Sequence, residues 1–184
     1  VRVIAGSSKG MRLKAPKGLD TRPTTDRVKE AIFSMINPYI MDSIILDLFA
    51  GTGSLGIEAL SRGAEKAYFV DNNKNSIKII KENVEHTGVK EKSTILFGDV
   101  QKLIKELASN RIRFDIIFMD PPYLKGLIIP SIDIIDAENV LNKEGIIVVE
   151  HDFKDILPKC VGRFIKLKEK KYGKTLISIY SEEE

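Results

Sequence analysis

The chain has 184 residues, enough for one domain with a sizeable core and too few for two. Apolar residues make up 43% and charged residues 30%, the balance of an ordinary globular protein, and no apolar run nears the roughly 20 residues a membrane span needs. Net charge is only +3, but residues 1–30 hold eight Lys/Arg against three acids, so the remainder is slightly acidic. Such asymmetry suits a polyanionic partner, or simply a solvated lysine-rich face.

The first fifteen residues read as a β-hairpin, with Val1–Ala5 and Met11–Ala15 flanking the turn-rich Gly6-Ser7-Ser8-Lys9-Gly10. Val1–Gly6 has no apolar core of signal-peptide length, so the chain reads as cytoplasmic. Lys14–Thr21 reads as a loop, and Arg22-Pro23-Thr24-Thr25-Asp26 leads into a helix. Its stripe is Val28, Ala31, Ile32, Met35 and Ile36, and Asn37-Pro38 is expected to end it.

From residue 44 strands and helices alternate. Strands are expected at Ile44–Phe49, Lys66–Val70, Ser93–Phe97, Phe114–Met119 and Gly145–Val149. Helices are expected at Ser54–Arg62, at Asn75–Thr87 with His86 near its end, around Val100–Leu107, and over most of the stretch to Asn142. Phe164–Lys171 and Lys174–Tyr180 flank Tyr172-Gly173 as an antiparallel hairpin, and the last three glutamates read as a frayed end. The fold class is therefore α/β and Rossmann-like, with a mostly parallel seven-stranded sheet, an antiparallel C-terminal hairpin, and a small N-terminal hairpin and helix. Residues 1–40 read as an extension packed on a core domain of residues 41–184, whose own strands should suffice to bind a cofactor. Cys160 is the single cysteine and is expected in the core; with only two histidines beside it, the composition argues against a zinc site.

The strongest local signal is Ile45-Leu46-Asp47-Leu48-Phe49-Ala50-Gly51-Thr52-Gly53-Ser54-Leu55-Gly56, a strand entering a glycine-rich turn and then a helix. Asp71 ends the next strand, placed to accept hydrogen bonds from both ribose hydroxyls of an adenosine. By itself Gly51-x-Gly53-x-x-Gly56 leaves NAD and S-adenosylmethionine both open. Three features favour the methyl donor. Asp47 sits where an acid can support the turn around a methionine moiety. Asp99, after Phe97-Gly98, can accept from an adenine amino group. One small domain also leaves no room for a dehydrogenase's substrate domain. The cofactor set is thus Asp47, Phe49, Gly51, Gly53, Asp71 and Asp99.

Asp120-Pro121-Pro122-Tyr123 follows the fourth strand. An exocyclic amine on a purine or pyrimidine is a poor nucleophile, because its lone pair is delocalised into the ring. The Asp120 carboxylate and the Pro121 carbonyl can each accept one amino hydrogen, drawing the nitrogen toward a tetrahedral shape. Prolines hold the loop rigid, and Tyr123 can stack on an unpaired or flipped-out base. Fixed acceptors of this kind are worth several kcal/mol, roughly, in a closed site. Neither a metal nor a covalent intermediate is called for.

At these residues the chain closely resembles the bacterial small-subunit ribosomal RNA guanine-N2 methyltransferases of the RsmD type. The resemblance runs from Arg2-Val3-Ile4-Ala5-Gly6 and Gly10-x-Arg12-Leu13 through Arg22-Pro23-Thr24-x-Asp26-Arg27-Val28-Lys29-Glu30. It continues through the glycine loop, Arg62-Gly63-Ala64, Asp120-Pro121-Pro122-Tyr123, and Val149-Glu150-His151 to Tyr172-Gly173. The hairpin and the Arg22–Glu30 stretch are its most specific parts. The resemblance implies a class I methyltransferase fold and a monomeric enzyme that uses S-adenosylmethionine on 16S rRNA during assembly of the small ribosomal subunit.

The basic hairpin reads as an RNA grip through Arg2, Lys9, Arg12 and Lys14, with the Arg163–Lys174 run as the other candidate. Arg22 or Thr24 can touch the cofactor or serve the helix start. For Glu150 and His151, at the end of the fifth strand, an RNA contact and a structural place both stay open. The nearest rival function is adenine-N6 methylation of DNA or RNA, which shares the same four-residue motif but usually comes with an added recognition region. Glutamine methylation favours Asn at position 120. A nicotinamide oxidoreductase leaves Asp120–Tyr123 unexplained, and a silent RNA-binding module leaves both sites unexplained.

Overall fold

The computed structural model describes residues 1–17 and 24–184. Around an antiparallel bridge between Arg2 and Arg12, Val3 N donates to Met11 O at 2.9 Å and Leu13 N to Val1 O at 2.9 Å. The N-terminus is thus a hairpin with too few pairs to form regular strands. Val3 and Leu13 point inward and are buried. Helix α1 (Asp26–Ile40) starts at Thr25, whose hydroxyl accepts from Val28 N. It runs past Asn37-Pro38, where the sequence suggested an end. A proline in the last turn forfeits only one helical hydrogen bond, and continuing the helix buries Ile40 to 2% exposure.

The remaining elements are β1 (Ile44–Leu48), α2 (Ser54–Ser61), β2 (Lys66–Asp71), α3 (Lys74–His86), β3 (Ser93–Phe97), α4 (Val100–Ser109) and β4 (Phe114–Met119). After them come α5 (Ile128–Glu138), β5 (Leu141–Asp152), β6 (Cys160–Val161), β7 (Phe164–Tyr172) and β8 (Thr175–Glu182). They form one sheet in the order β3-β2-β1-β4-β5-β8-β7-β6. β1 to β5 are mutually parallel, and β8 runs antiparallel to both β5 and β7.

Three sequence expectations change. The sheet has eight strands rather than seven, because the two-residue β6 adds an edge. Cys160 lies on that edge and is exposed, not in the core. The helical stretch after β4 stops at Glu138, where Asn139 turns left-handed (φ 52°), and β5 begins at Leu141, four residues earlier than Gly145.

Two apolar layers sandwich the sheet. One unites the hairpin with α1, α2 and α3 against Ile45, Phe69, Phe118 and Ile177. The other packs α4 and α5 against Leu46, Val70, Met119 and Tyr180. Strand order reverses between β1 and β4, so the crevice at their carboxyl ends is where a ligand of such a sheet binds.

Candidate active site

The loop leaving β1 turns sharply: Phe49, Gly51 and Gly53 all have positive φ, at 55°, 60° and 79°. A Cβ on Gly51 would meet nothing nearer than Phe49 O at 3.9 Å, so that face of the loop is open. Gly56 is glycine for another reason. A Cβ there would stand 2.4 Å from Phe69 Cε1, so its absence lets α2 pack closely on β2.

Two carboxylates hold this loop. Asp47 is 2% exposed, and its Oδ2 accepts from Gly56 N at 3.0 Å. Burial pushes its pKa up to about 8 against the pull of that N–H, and nearby Asp71 adds to the rise. Asp71 accepts from Gly51 N through Oδ2 and from Asn73 N through Oδ1, both at 2.9 Å. A carboxylate offers about four lone-pair positions, so these two bonds leave acceptor capacity for a ligand. Asp99 is exposed and caps α4, accepting from Lys102 N at 3.0 Å. Beside it stands Phe97, paired with Asp71 across β2 and β3 and 52% exposed. An open phenyl ring there was legible only as a strand residue.

At the end of β4, Pro121 is buried and Pro122 exposed, while Asp120 and Tyr123 are partly exposed. Thr24 Oγ1 donates to Glu150 Oε2 at 2.8 Å and more weakly to Asp120 Oδ2 at 3.4 Å. One hydroxyl therefore ties the loop before α1 to two carboxyls from neighbouring strands. Burial, then Glu150 and Asp47, hold the Asp120 carboxyl well above the usual range. Tyr123 Oη lies 3.4 Å from Glu150 Oε1 and 3.4 Å from Thr175 Oγ1. Burial, opposed by Thr175 and reinforced by Glu150, lifts its pKa to about 12.

Adjacent residues on β5 face opposite sides of the sheet. Glu150 faces the site and is 4% exposed. His151 faces away: its Nε2 lies 2.8 Å from Ser178 Oγ, its Nδ1 3.2 Å from Asp152 O, and burial lowers its pKa. The histidine is a structural core residue. Glu150 looked no different from it in the sequence.

The four basic hairpin residues are all exposed. Arg2 pairs with Asp26 and Lys14 with Glu82, both at 2.9 Å, whereas no ion pair among the described residues engages Lys9 or Arg12. In the C-terminal run, Arg163 pairs with Asp136 and Lys166 with Glu169. Arg22 lies outside the described residues. Sequence reasoning missed the buried Lys29, whose Nζ meets Glu58 Oε1 at 3.0 Å and donates to Arg2 O at 2.8 Å. Glu58 also accepts from Ile4 N, Ala5 N and Arg62 Nε. Its only sequence signal was the lysine at position 29, on the stripe's edge one residue after Val28.

The same fold recurs in known proteins. The family described as Conserved hypothetical protein 95 matches residues 1–181. YlbH of Bacillus subtilis is 42% identical over 180 residues, which cover 98% of each chain. Ribosomal RNA small subunit methyltransferase D of Escherichia coli K12 is 32% identical over 187 residues, covering 100% of this chain and 90% of the relative. The solved structure of yhhF from Escherichia coli is similar throughout, with a TM-score of 0.87 at 31% identity, covering 100% of this chain and 98% of the other. A reversed strand beside β5 and an open glycine loop braced by acids, shared in fold with these relatives, give the chain the class I methyltransferase fold. Within that class, the chain belongs to the RsmD-type family.

Proposed function

We propose that this protein transfers a methyl group from S-adenosylmethionine to the exocyclic N2 amine of a guanine in 16S ribosomal RNA, leaving S-adenosylhomocysteine. The observation that carries the reading is the placement of Asp120-Pro121-Pro122-Tyr123 at the end of β4, next to the strand that feeds the glycine loop. Likeness to small subunit methyltransferase D of Escherichia coli supports the RNA and its subunit.

The residues fit the donor. Asp71 keeps acceptor capacity for a diol, and the face of Gly51 is open. Ser54 Oγ, in the first turn of α2, is buried with no hydrogen-bond partner among the described residues, which suits a polar group arriving there. Asp47 braces the turn that would hold the methionine moiety, Phe49, Gly51 and Gly53 shape it, and Asp99 and Phe97 would be the residues to hold the adenine. When bound, the donor supplies an electrophilic methyl on a sulfonium. The rest is done by the chain. Asp120 and the Pro121 carbonyl accept the two amino hydrogens and aim the nitrogen lone pair. Pro122 holds the loop stiff. Tyr123 stacks on the base. The donor would supply the methyl and keep the electron pair of the broken S–C bond on its sulfur, and the amine's spare proton would go to the ionised form of Asp120. In-line positioning and fixed acceptors are the main source of rate.

Residues 41–184 carry the chemistry in this reading, and residues 1–40 add Thr24 and an RNA-facing hairpin with Arg2, Lys9, Arg12 and Lys14. The enzyme works as a cytoplasmic monomer on small-subunit RNA, free or within an assembling particle. Among the described residues, no helix is long and apolar enough to cross a membrane. The test is to incubate the protein with labelled S-adenosylmethionine and 16S rRNA or small-subunit particles, then analyse the nucleosides by mass spectrometry. N2-methylguanosine is expected. Only N6-methyladenosine, or no methylated nucleoside, refutes the reading. Asp120→Ala should lower single-turnover transfer at least about a hundredfold, while the donor's affinity stays within a few-fold.

A further inference from the structure

A cavity of about 380 Å³ is lined by Tyr123, from the loop that Asp120 begins, and by Glu150, which shares Thr24 with Asp120. Tyr123 and Tyr172 supply aromatic surface, Arg27 and Lys174 supply cations, and Glu150 and Thr175 are among the polar residues of the lining. Arg27 and Lys174 are exposed, whereas Glu150 is 4% exposed. The cavity thus grades from a cationic rim to a buried carboxyl, with tyrosines between. That gradient matches a nucleotide in polarity: phosphate outside, π-face along the wall, polar base edge innermost.

We propose that this cavity receives the target base and that Glu150 selects a 6-oxopurine, by accepting the ring N1–H while Asp120 and the Pro121 carbonyl hold the adjacent amine. The inference rests on the methyltransferase reading above and names what chooses the base within it.

Geometry supplies the reason. Thr24 Oγ1 touches both carboxyls, so Glu150 and Asp120 stand side by side over one small patch. Guanine places its N1–H and its N2 amine on adjacent ring atoms, two donor groups in a row. Two neighbouring carboxyls match that row. Adenine presents a bare N1 beside its amine, so the second acceptor oxygen would meet a lone pair. An oxygen placed to accept from an N–H finds no hydrogen there. A site built to accept an N–H rejects a base that lacks it by far more than a change of shape does, because buried polar groups are left facing each other.

The carboxyl is also held in place. Thr24 donates to Oε2, and Tyr123 Oη lies equally far from Glu150 Oε1 and Thr175 Oγ1, at 3.4 Å from each. The tyrosine can therefore turn its hydrogen to either neighbour. β5 fixes the backbone, since Glu150 pairs with Ile177 in the middle of a seven-residue antiparallel ladder.

The test uses the guanine located by nucleoside mapping of RNA methylated by the wild-type protein. RNAs are then made with guanine or 2-aminopurine at that one position. 2-Aminopurine keeps the amine but has an unprotonated N1. The wild type should methylate guanine at least about a hundredfold faster, as kcat/KM. Glu150→Gln keeps size and shape, can still accept from Thr24, and can offer an amide N–H to the bare N1. It should shrink that preference to a few-fold or invert it, with unchanged affinity for S-adenosylmethionine showing an intact fold. A wild-type ratio near one overturns the proposal without reference to any variant. So does a Gln variant that binds the donor and keeps the wild-type ratio. In either case N2-methylguanosine still forms and the proposed function stands. If the wild type makes none, both readings fall together.

Discussion

Under the proposed function, Asp47 would link donor binding to pH. In the free protein this carboxyl is buried and its pKa stands at about 8, so at neutral pH it is mostly protonated. S-adenosylmethionine brings a sulfonium and an ammonium to the loop that Asp47 braces, and positive charge favours the carboxylate. Binding below pH 8 must then release a proton. Each unit between the working pH and the free-state pKa costs about tenfold in affinity, or 1.36 kcal/mol. From pH 5.5 to 7.5, below the titration of the ligand's own amine, the dissociation constant should fall up to about a hundredfold. Calorimetry in buffers of differing ionisation heat would count the proton directly. S-adenosylhomocysteine, a neutral thioether, should show a shallower slope. Asp47→Asn keeps an acceptor for Gly56 N but cannot titrate, so its affinity should be nearly flat over that range. A wild-type constant that does not vary with pH, or a slope that survives in Asp47→Asn, refutes the reasoning. The same shift has a stability consequence. A folded pKa above the unfolded one stabilises the fold fully below the unfolded pKa, and that stabilisation is lost as pH rises toward about 8. Denaturant midpoints of the free wild type should fall over this range more than those of Asp47→Asn.

Asp71→Ala should weaken S-adenosylmethionine and S-adenosylhomocysteine alike by about 2–3 kcal/mol, because both share the ribose and the loop loses its brace at Gly51; equal calorimetric affinities before and after would reduce Asp71 to a loop residue. Changing Arg2, Lys9, Arg12 and Lys14 together to Ala should raise the dissociation constant for 16S rRNA and flatten its salt dependence, by about 0.7–0.9 in log–log slope for each phosphate no longer neutralised. An unchanged slope would move the grip to the Arg163–Lys174 run. Lys29→Met should destabilise the protein by about 3–5 kcal/mol in chemical denaturation, because Glu58 keeps its charge in the core without its buried partner. A loss under 1 kcal/mol, roughly, would mean that Arg62 alone neutralises Glu58.

Much of the fold was legible because local pattern and packing agree. β3 and β4 occupy the spans that their apolar runs mark, bounded by turn residues on both sides. Pro38 misled because propensity gives way where a further turn buries Ile40. Cys160–Val161 pairs over only two residues, too few for any alternation to show, so neither the eighth strand nor the exposed thiol was visible. At the site, Asp47, Asp71, Gly51, Gly53 and Asp120 come together because they sit at strand ends that the sequence marks. The partners that arm them do not. Thr24 reaches Glu150 across 126 positions and Lys29 meets Glu58 across 29, and no local periodicity records such pairs.

Those long-range pairs bear on how separable the N-terminal forty residues are. Glu58 lies one turn into α2, the helix that the glycine loop starts, and it holds Ile4 N, Ala5 N, Lys29 and Arg62 at once. Ser61, at the end of the same helix, donates to Ala5 O and accepts from Ser8 N. Val3, Leu13 and the buried side of α1 share one apolar layer with Ile57, Phe69 and Phe118. Residues 44 onward contain every strand, yet without the first forty they would expose that layer, leave Glu58 as a charge needing solvent, and remove Thr24 from the two carboxyls. A hairpin knotted to α2 cannot swing as an independent arm. If it grips RNA, it does so as a fixed surface whose distance from Asp120 is set by α1 and α2. Under the proposed function such a surface would act as a ruler: the RNA would have to fold to its spacing to place a guanine over Glu150. In that reading the substrate is chosen by shape at the hairpin and by hydrogen bonding at the carboxyls.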